Sequence, residues 1–126
     1  MKKLLFFLTI LSAMPSCVKE TPLEICDIEG RWVVEINGQA NTLYVFHEGL
    51  RYTIYTDSVG VFGSRDEAIP NPNEYIFIGN ELEIDLNFGN ISIESVEFKC
   101  NCNVISFNDG ESEIYVEGYD PALCDE

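Results

Sequence analysis

Basic residues are scarce in this 126-residue sequence. Only 7 Lys plus Arg stand against 22 Asp plus Glu, for a net charge of −15. That balance argues against nucleic acid as a partner, because phosphate binding needs clustered Lys and Arg. It also disfavours direct adsorption to anionic lipid and favours cations or basic partners. The acids are spread along the chain, with no block of five or six like charges, as on a solvated acidic surface. Histidine occurs once. Any His-based catalytic arrangement would therefore rest on His47, which sits beside a Glu48-Gly49 turn signal, and no serine stands in a recognisable nucleophile setting. No Gly-rich phosphate loop occurs. Glu81, Glu83 and Asp85 read as a solvated strand face rather than as a carboxylate pair for glycoside hydrolysis. The stretch from Asn108 to Glu113 carries oxygen ligands suited to calcium but lacks a full loop spacing, and reads as a hairpin turn. The chain is expected to be non-enzymatic, with no catalytic residue, no metal and no cofactor.

Long apolar runs are also missing, with one short exception at the start. Lys2 and Lys3 precede an apolar stretch from Leu4 to Leu11, broken only by Thr9. A bilayer span takes about 20 apolar residues, so this run is too short. Its length and flanks are those of a secretory signal peptide. Ordinary cleavage wants small residues at the cut and two positions before it. Cutting after Ser16 places Met14 at the earlier position, and cutting after Ala13 places Leu11 there, and both are poor.

Met14-Pro15-Ser16-Cys17 instead resembles a bacterial lipobox: an apolar residue, a tolerant position, a small residue and the cysteine. The resemblance implies a signal peptide over 1–16, with Cys17 acylated as the mature N-terminus. Several acyl chains make a stable anchor at about 0.8 kcal/mol per buried CH₂. Residues 17–26 then form the lipidated N-terminus and tether. Lys19-Glu20 resembles the surface-export signals of Bacteroidetes lipoproteins. The implied location is the cell envelope, at the outer membrane, on its periplasmic face or at the cell surface. Loss of residues 1–16 lowers Lys plus Arg from 7 to 5 against 22 acids, a side-chain charge of −17.

From residue 27 onward, helical periodicity is almost absent and alternation takes over. Trp32, Val34 and Ile36 share a strand face, followed by an Asn37-Gly38 turn signal. Leu43–His47 and Arg51–Thr56 flank Glu48-Gly49 as a hairpin, with tyrosines and phenylalanines suited to a pleated surface. Residues 57–73 break the pattern with Gly60, Gly63, Pro70 and Pro72. This longest loop, with a short strand expected near Val59–Phe62, reads first as a plain connection, and it is the loop where variable function would sit if any loop carries it. Glu74–Ile78 and Glu81–Phe88 flank Gly79-Asn80. In ELEIDLNF, Leu82, Ile84, Leu86 and Phe88 are expected to face one way. Ile91 and Ile93 share one phase and Val96 and Phe98 the other, which predicts a bulge or break at Glu94-Ser95. Val104–Phe107 and Glu113–Tyr119 flank a final turn. Eight to nine short strands joined by tight turns predict an all-β domain over 27–126. The expected form is a small antiparallel up-and-down β-barrel, with a two-sheet sandwich as the alternative.

Gly30-Arg31-Trp32 opens the first strand. This Gly-x-Trp, with the YVFHEGLRYTIY hairpin and the later hairpins, resembles the start and run of lipocalins and lipocalin-like bacterial lipoproteins. The resemblance implies that Gly30 and Trp32 form the motif that closes one end of the barrel.

With Cys17 assigned to lipid, Cys26, Cys100, Cys102 and Cys124 form an even set, which in an exported chain favours disulfides. No paired Cys-x₂-Cys knuckles support a zinc site. On an extended strand, Cys100 and Cys102 would have Cα atoms about 6.5–7 Å apart with parallel side chains, at the limit of disulfide reach. Each is therefore expected to pair outward, one with Cys26 and one with Cys124. A tight turn at 100–102 would instead permit a local bridge plus Cys26–Cys124. The expected function is a membrane-anchored, non-enzymatic binding or interaction module. It would take a small apolar ligand if the barrel is open. The alternative is a structural or inhibitor-like envelope protein that binds another protein through its loops or acidic surface.

Overall fold

A computed structural model describes residues 25–125. The expected signal peptide, Cys17 and most of the expected tether lie outside the described residues. The described chain is all-β, and its eight strands close into one antiparallel up-and-down barrel. They are β1 (Gly30–Ile36), β2 (Gln39–His47), β3 (Leu50–Tyr55), β4 (Asn73–Ile78), β5 (Glu81–Asp85), β6 (Ile91–Lys99), β7 (Val104–Phe107) and β8 (Ser112–Val116). Each strand pairs with the next, and β8 returns to β1 through Trp32↔Val116 and Val33↔Tyr115. Closure, not the two-sheet alternative, manages the strand edges.

The turns form where the sequence supplies residues that tolerate positive φ. Asn37 and Gly38 sit at 55° and 78°, and Glu48 and Gly49 at 48° and 83°. Both are two-residue hairpin loops whose twist matches that of the flanking strands. Register slips once in the first hairpin, where Val34 faces Thr42 but Glu35 faces Ala40. The extra residue, Asn41, is a bulge that bends the strand.

The interior is filled by one phase of every strand. Trp32, Phe46, Leu82, Ile84, Val96, Ile105, Phe107 and Ile114 form the main core, with Ile28 packed beneath them. Trp32 is 2% exposed, and its Nε1 donates to the carbonyl of Ile28 at 2.7 Å. The indole therefore buries its area while keeping its one donor satisfied. Gly30 has φ 142°, in the left-handed half of the map, and a Cβ there would meet the Trp32 Nε1 at 3.7 Å. Glycine serves that backbone best.

A second apolar cluster lies on the outside of the barrel. Val33, Leu43, Val45 and Ile54 are buried there, with Phe62, Ala68 and Tyr115 packed against them. The 56–72 segment folds back over β1–β3 as a strap. Gly60 N donates to Ala40 O at 2.8 Å, Ile69 N to Thr53 O at 2.9 Å, and Arg31 Nη2 to Gly63 O at 2.8 Å. It contains no strand at Val59–Phe62, only a short 3₁₀ turn at Arg65–Glu67. Phe62 and Ala68 pack on the outer cluster while Val59, Val61 and Ile69 stay exposed, so the segment is a seated connection without the short strand expected near Val59–Phe62.

Two strand expectations also change. β6 runs unbroken, with no register shift at Glu94-Ser95. The phase change arises because Ser92 and Glu94 take interior positions while Ile91 and Ile93 face out. β5 ends at Asp85, where the Asp85 carboxylate accepts from Asn87 N at 2.7 Å. Asn87, Phe88 and Gly89 then all adopt positive φ. Leu82 and Ile84 are buried as expected, but Leu86 is exposed and Phe88 is 99% exposed.

Candidate functional site

Two regions concentrate chemistry, one at each end of the barrel. At the closed end, the chain enters at Cys26 and runs beneath Trp32. Glu48 N, in the second hairpin turn, donates to Glu29 Oε2 at 2.7 Å. Cys26 is bonded to Cys102, with Cα atoms 5.5 Å apart, and Cys100 to Cys124, at 5.6 Å. Both cysteines after β6 thus pair outward, as expected. The backbone differs from the expected extended strand, because Cys100, Asn101 and Cys102 all have positive φ, between 52° and 66°. A left-handed turn splays the two cysteines towards different partners. Beside it, Arg31 Nε donates to Glu117 Oε1 at 2.6 Å, which raises the guanidinium further above its ordinary value. Gly30, Trp32 and the four cysteines therefore build a packed, crosslinked base. Cys17 lies outside the described residues.

The other region is a cavity of about 220 Å³ inside the barrel. Its floor is Phe46, Leu82, Ile84, Phe107 and Ile114. β1 and β8 pair only at Trp32 and Val33, so their far halves diverge. Exposed Glu35, Ser112 and Glu113 line the cavity from these two strands and form its mouth.

Two charged side chains point inward. Arg51 sits over the Tyr44 ring at 4.3 Å, and its Nη2 donates to Asn73 Oδ1 at 3.0 Å. Its Nε is buried with no hydrogen-bond partner. Opposite in charge, Glu94 accepts from Ser92 Oγ at 2.8 Å through one carboxylate oxygen and from Asn108 Nδ2 at 2.8 Å through the other. At the mouth, Glu35 Oε2 accepts from Tyr115 Oη at 2.8 Å, and Glu113 Oε2 accepts from Lys99 Nζ at 3.1 Å. Burial and then the Glu35 carboxylate push the Tyr115 phenol up to about 12. Arg51 and Glu94 thus project over the apolar floor, while the Glu35 and Glu113 carboxylates at the rim are engaged by Tyr115 and Lys99.

From the sequence alone these residues do not come together as a site: Leu82 and Ile84 are expected inward, Ser112 and Glu113 read as part of a hairpin turn, Glu94 reads as the place of a bulge, and Arg51 and Glu35 are given no role. The signal was present as polar residues in the interior phase: Arg51 in step with buried Thr53, and Ser92 and Glu94 in step with Val96 and Phe98. His47 ends β2 at the opposite end, 3.6 Å from the Glu48 carboxylate. Among the described residues, no group of three or more His, Cys, Asp or Glu is placed to hold a metal ion, and no helix is long and apolar enough to cross a membrane. No family matches the chain, and no curated protein or solved structure is detectably similar to it.

Proposed function

We propose that this chain is a lipid-anchored envelope protein, held through Cys17, whose barrel is a non-enzymatic binding module for a small, largely apolar molecule carrying one basic group. The observation that carries the reading is the cavity: an apolar floor with few convergent polar groups is the usual form of a small-molecule site. At about 220 Å³ it is smaller than the roughly 300–1,000 Å³ of most such sites, so the ligand is small. The Glu94 carboxylate inside, which has no cationic partner, favours a ligand with a cationic head. The carboxylates here are exposed or already hydrogen-bonded, which suits recognition better than acid–base chemistry. The two disulfides fit an oxidising compartment, which supports export. The resemblance of the first 17 residues to a lipoprotein signal, and of Gly30-Arg31-Trp32 to a lipocalin start, points the same way.

Calorimetry with 2-phenylethylamine, 2-phenylethanol and phenylacetate tests the cavity. The amine is expected to bind best, Glu94→Gln to weaken it, and Ser112→Trp to block it by filling the mouth. No binding by any of the three, or binding that Ser112→Trp leaves unchanged, would overturn the reading. Intact mass of the membrane-extracted chain tests the anchor, and an unmodified residue 17 would end it.

A further inference from the structure

The outer face of β4–β6 is unlike any other part of the barrel. Ile76 and Ile78 from β4 and Ile91 and Ile93 from β6 lie on it, 49–73% exposed. Between them, β5 presents Glu81, Glu83 and Asp85. The register sets Ile76 against Glu83 and Glu83 against Ile93, and it sets Asp85 against Ile91. An acidic row therefore runs between two isoleucine rows. Among the described residues none of these three acids has an ion pair, and Lys99, the one cation on the outer face of these strands, is taken by Glu113. The same hairpin ends in Phe88, 99% exposed at φ 54°. A phenyl group held in solvent on a left-handed backbone contributes nothing to folding, and such strain clusters at binding sites. Single surface isoleucines need no explanation, but two exposed isoleucine rows flanking one acidic row over three adjacent strands make a patterned face of the kind that interaction surfaces use.

We infer that the outer face of β4–β6, with the Phe88 turn, docks a basic polypeptide segment in which lysine or arginine alternates with apolar residues. The charge pattern selects this occupant. A second copy of the chain would set the acidic row against itself, which like-charge contact penalises. An anionic lipid surface would be repelled by the same row. An extended basic strand offers cations to β5 and apolar side chains to the flanking isoleucines, with the alternation that a strand provides. This site is separate from the cavity, and neither requires the other.

The test is fluorescence anisotropy of the full-length chain with a labelled ten-residue peptide alternating lysine and leucine. Peptides alternating glutamate with leucine, and lysine with serine, serve as controls. Saturable binding of the first peptide alone is expected. Ile76→Thr with Ile93→Thr, and separately Phe88→Ser, should each weaken it about tenfold or more. Glu81→Gln with Glu83→Gln should weaken it similarly and flatten its salt dependence. The side chains changed are exposed, and circular dichroism checks the fold; if the double isoleucine variant does not fold, Phe88→Ser decides. Asp57→Asn with Asp66→Asn, on the strap, should change nothing. Equal loss in that strap variant would mean generic attraction to an acidic protein and would overturn the proposal. So would dimerisation abolished by Ile76→Thr with Ile93→Thr, or binding to phosphatidylcholine vesicles abolished by Phe88→Ser.

Discussion

The two outer faces of this barrel are built from similar material and treated in opposite ways. On β1–β3, Val33, Leu43, Val45 and Ile54 face outward and are buried, because the 56–72 strap lies across them. On β4–β6, Ile76, Ile78, Ile91 and Ile93 face outward and stay in solvent. Among the described residues one long connecting segment serves as a cover, and it lies on one side. Outward isoleucines beneath a strap belong to the stabilising core. Outward isoleucines beside unpaired carboxylates do not, and the proposed docking site gives them a use.

The contrast can be broken most forcefully at the crosslinks. Among the described residues nothing covers the β4–β6 face, and the turn that follows β6 is held by two disulfides. Replacing Cys26 and Cys102 with alanine removes a bridge across 76 residues, worth up to about 4.5 kcal/mol in the chain-entropy model. Urea denaturation should show that loss, while loss of Cys100–Cys124, across 24 residues, should cost about 1 kcal/mol less. Equal and negligible effects would mean that the closed end does not hold β6.

Next in size is the covered face itself. Leu43 is 0% exposed. Leu43→Ala should cost about 2–5 kcal/mol through lost burial and a residual cavity. A loss under about 1 kcal/mol in the same denaturation experiment would mean that the strap is not seated.

A smaller effect should appear in alkali. Tyr115 packs against the covered cluster, and burial followed by the Glu35 carboxylate raises its phenol to about 12. The unfolded chain releases this proton near pH 10 and the folded chain near 12, so its contribution is complete below pH 10 and fades as pH rises through that window. Tyr75, raised by burial first and then by Glu29, acts in the same direction. Thermal melts between pH 9 and 12 should show the decline, and Tyr115→Phe should flatten part of it. An unchanged profile in that variant would remove Tyr115 as the source. Smallest of all, Ile93→Thr on the bare face should alter stability by no more than about 0.5 kcal/mol, as at an ordinary surface site.

Much of this fold was legible in the sequence because alternation and turn chemistry are local. Trp32 and Val34 lie on the inner face as their phase requires, and Asn37-Gly38 makes the turn that its residues favour. The outward pairing of Cys100 and Cys102 was also legible, although the turn that achieves it was not. What escaped depended on distant contacts. Nothing local in residues 57–73 says that Phe62 will land on the outer cluster of Val33, Leu43, Val45 and Ile54. Ser92 and Glu94 looked like the solvent side of a strand because most interiors are apolar. They are interior because Val96 and Phe98, in the same phase, must be, and a polar interior position is what a cavity leaves behind. Phe88 was assigned inward by alternation, but the chain leaves the strand at Asp85 and turns the ring out.

The most direct measurement of the division between the two faces is residue-resolved NMR of the isotope-labelled chain during titration with the lysine–leucine peptide. The shifts should map to β4–β6 and the Phe88 turn and leave Leu43, Ile54 and the strap unmoved. Shifts concentrated on the strap or β1–β3, with β4–β6 silent, would contradict it.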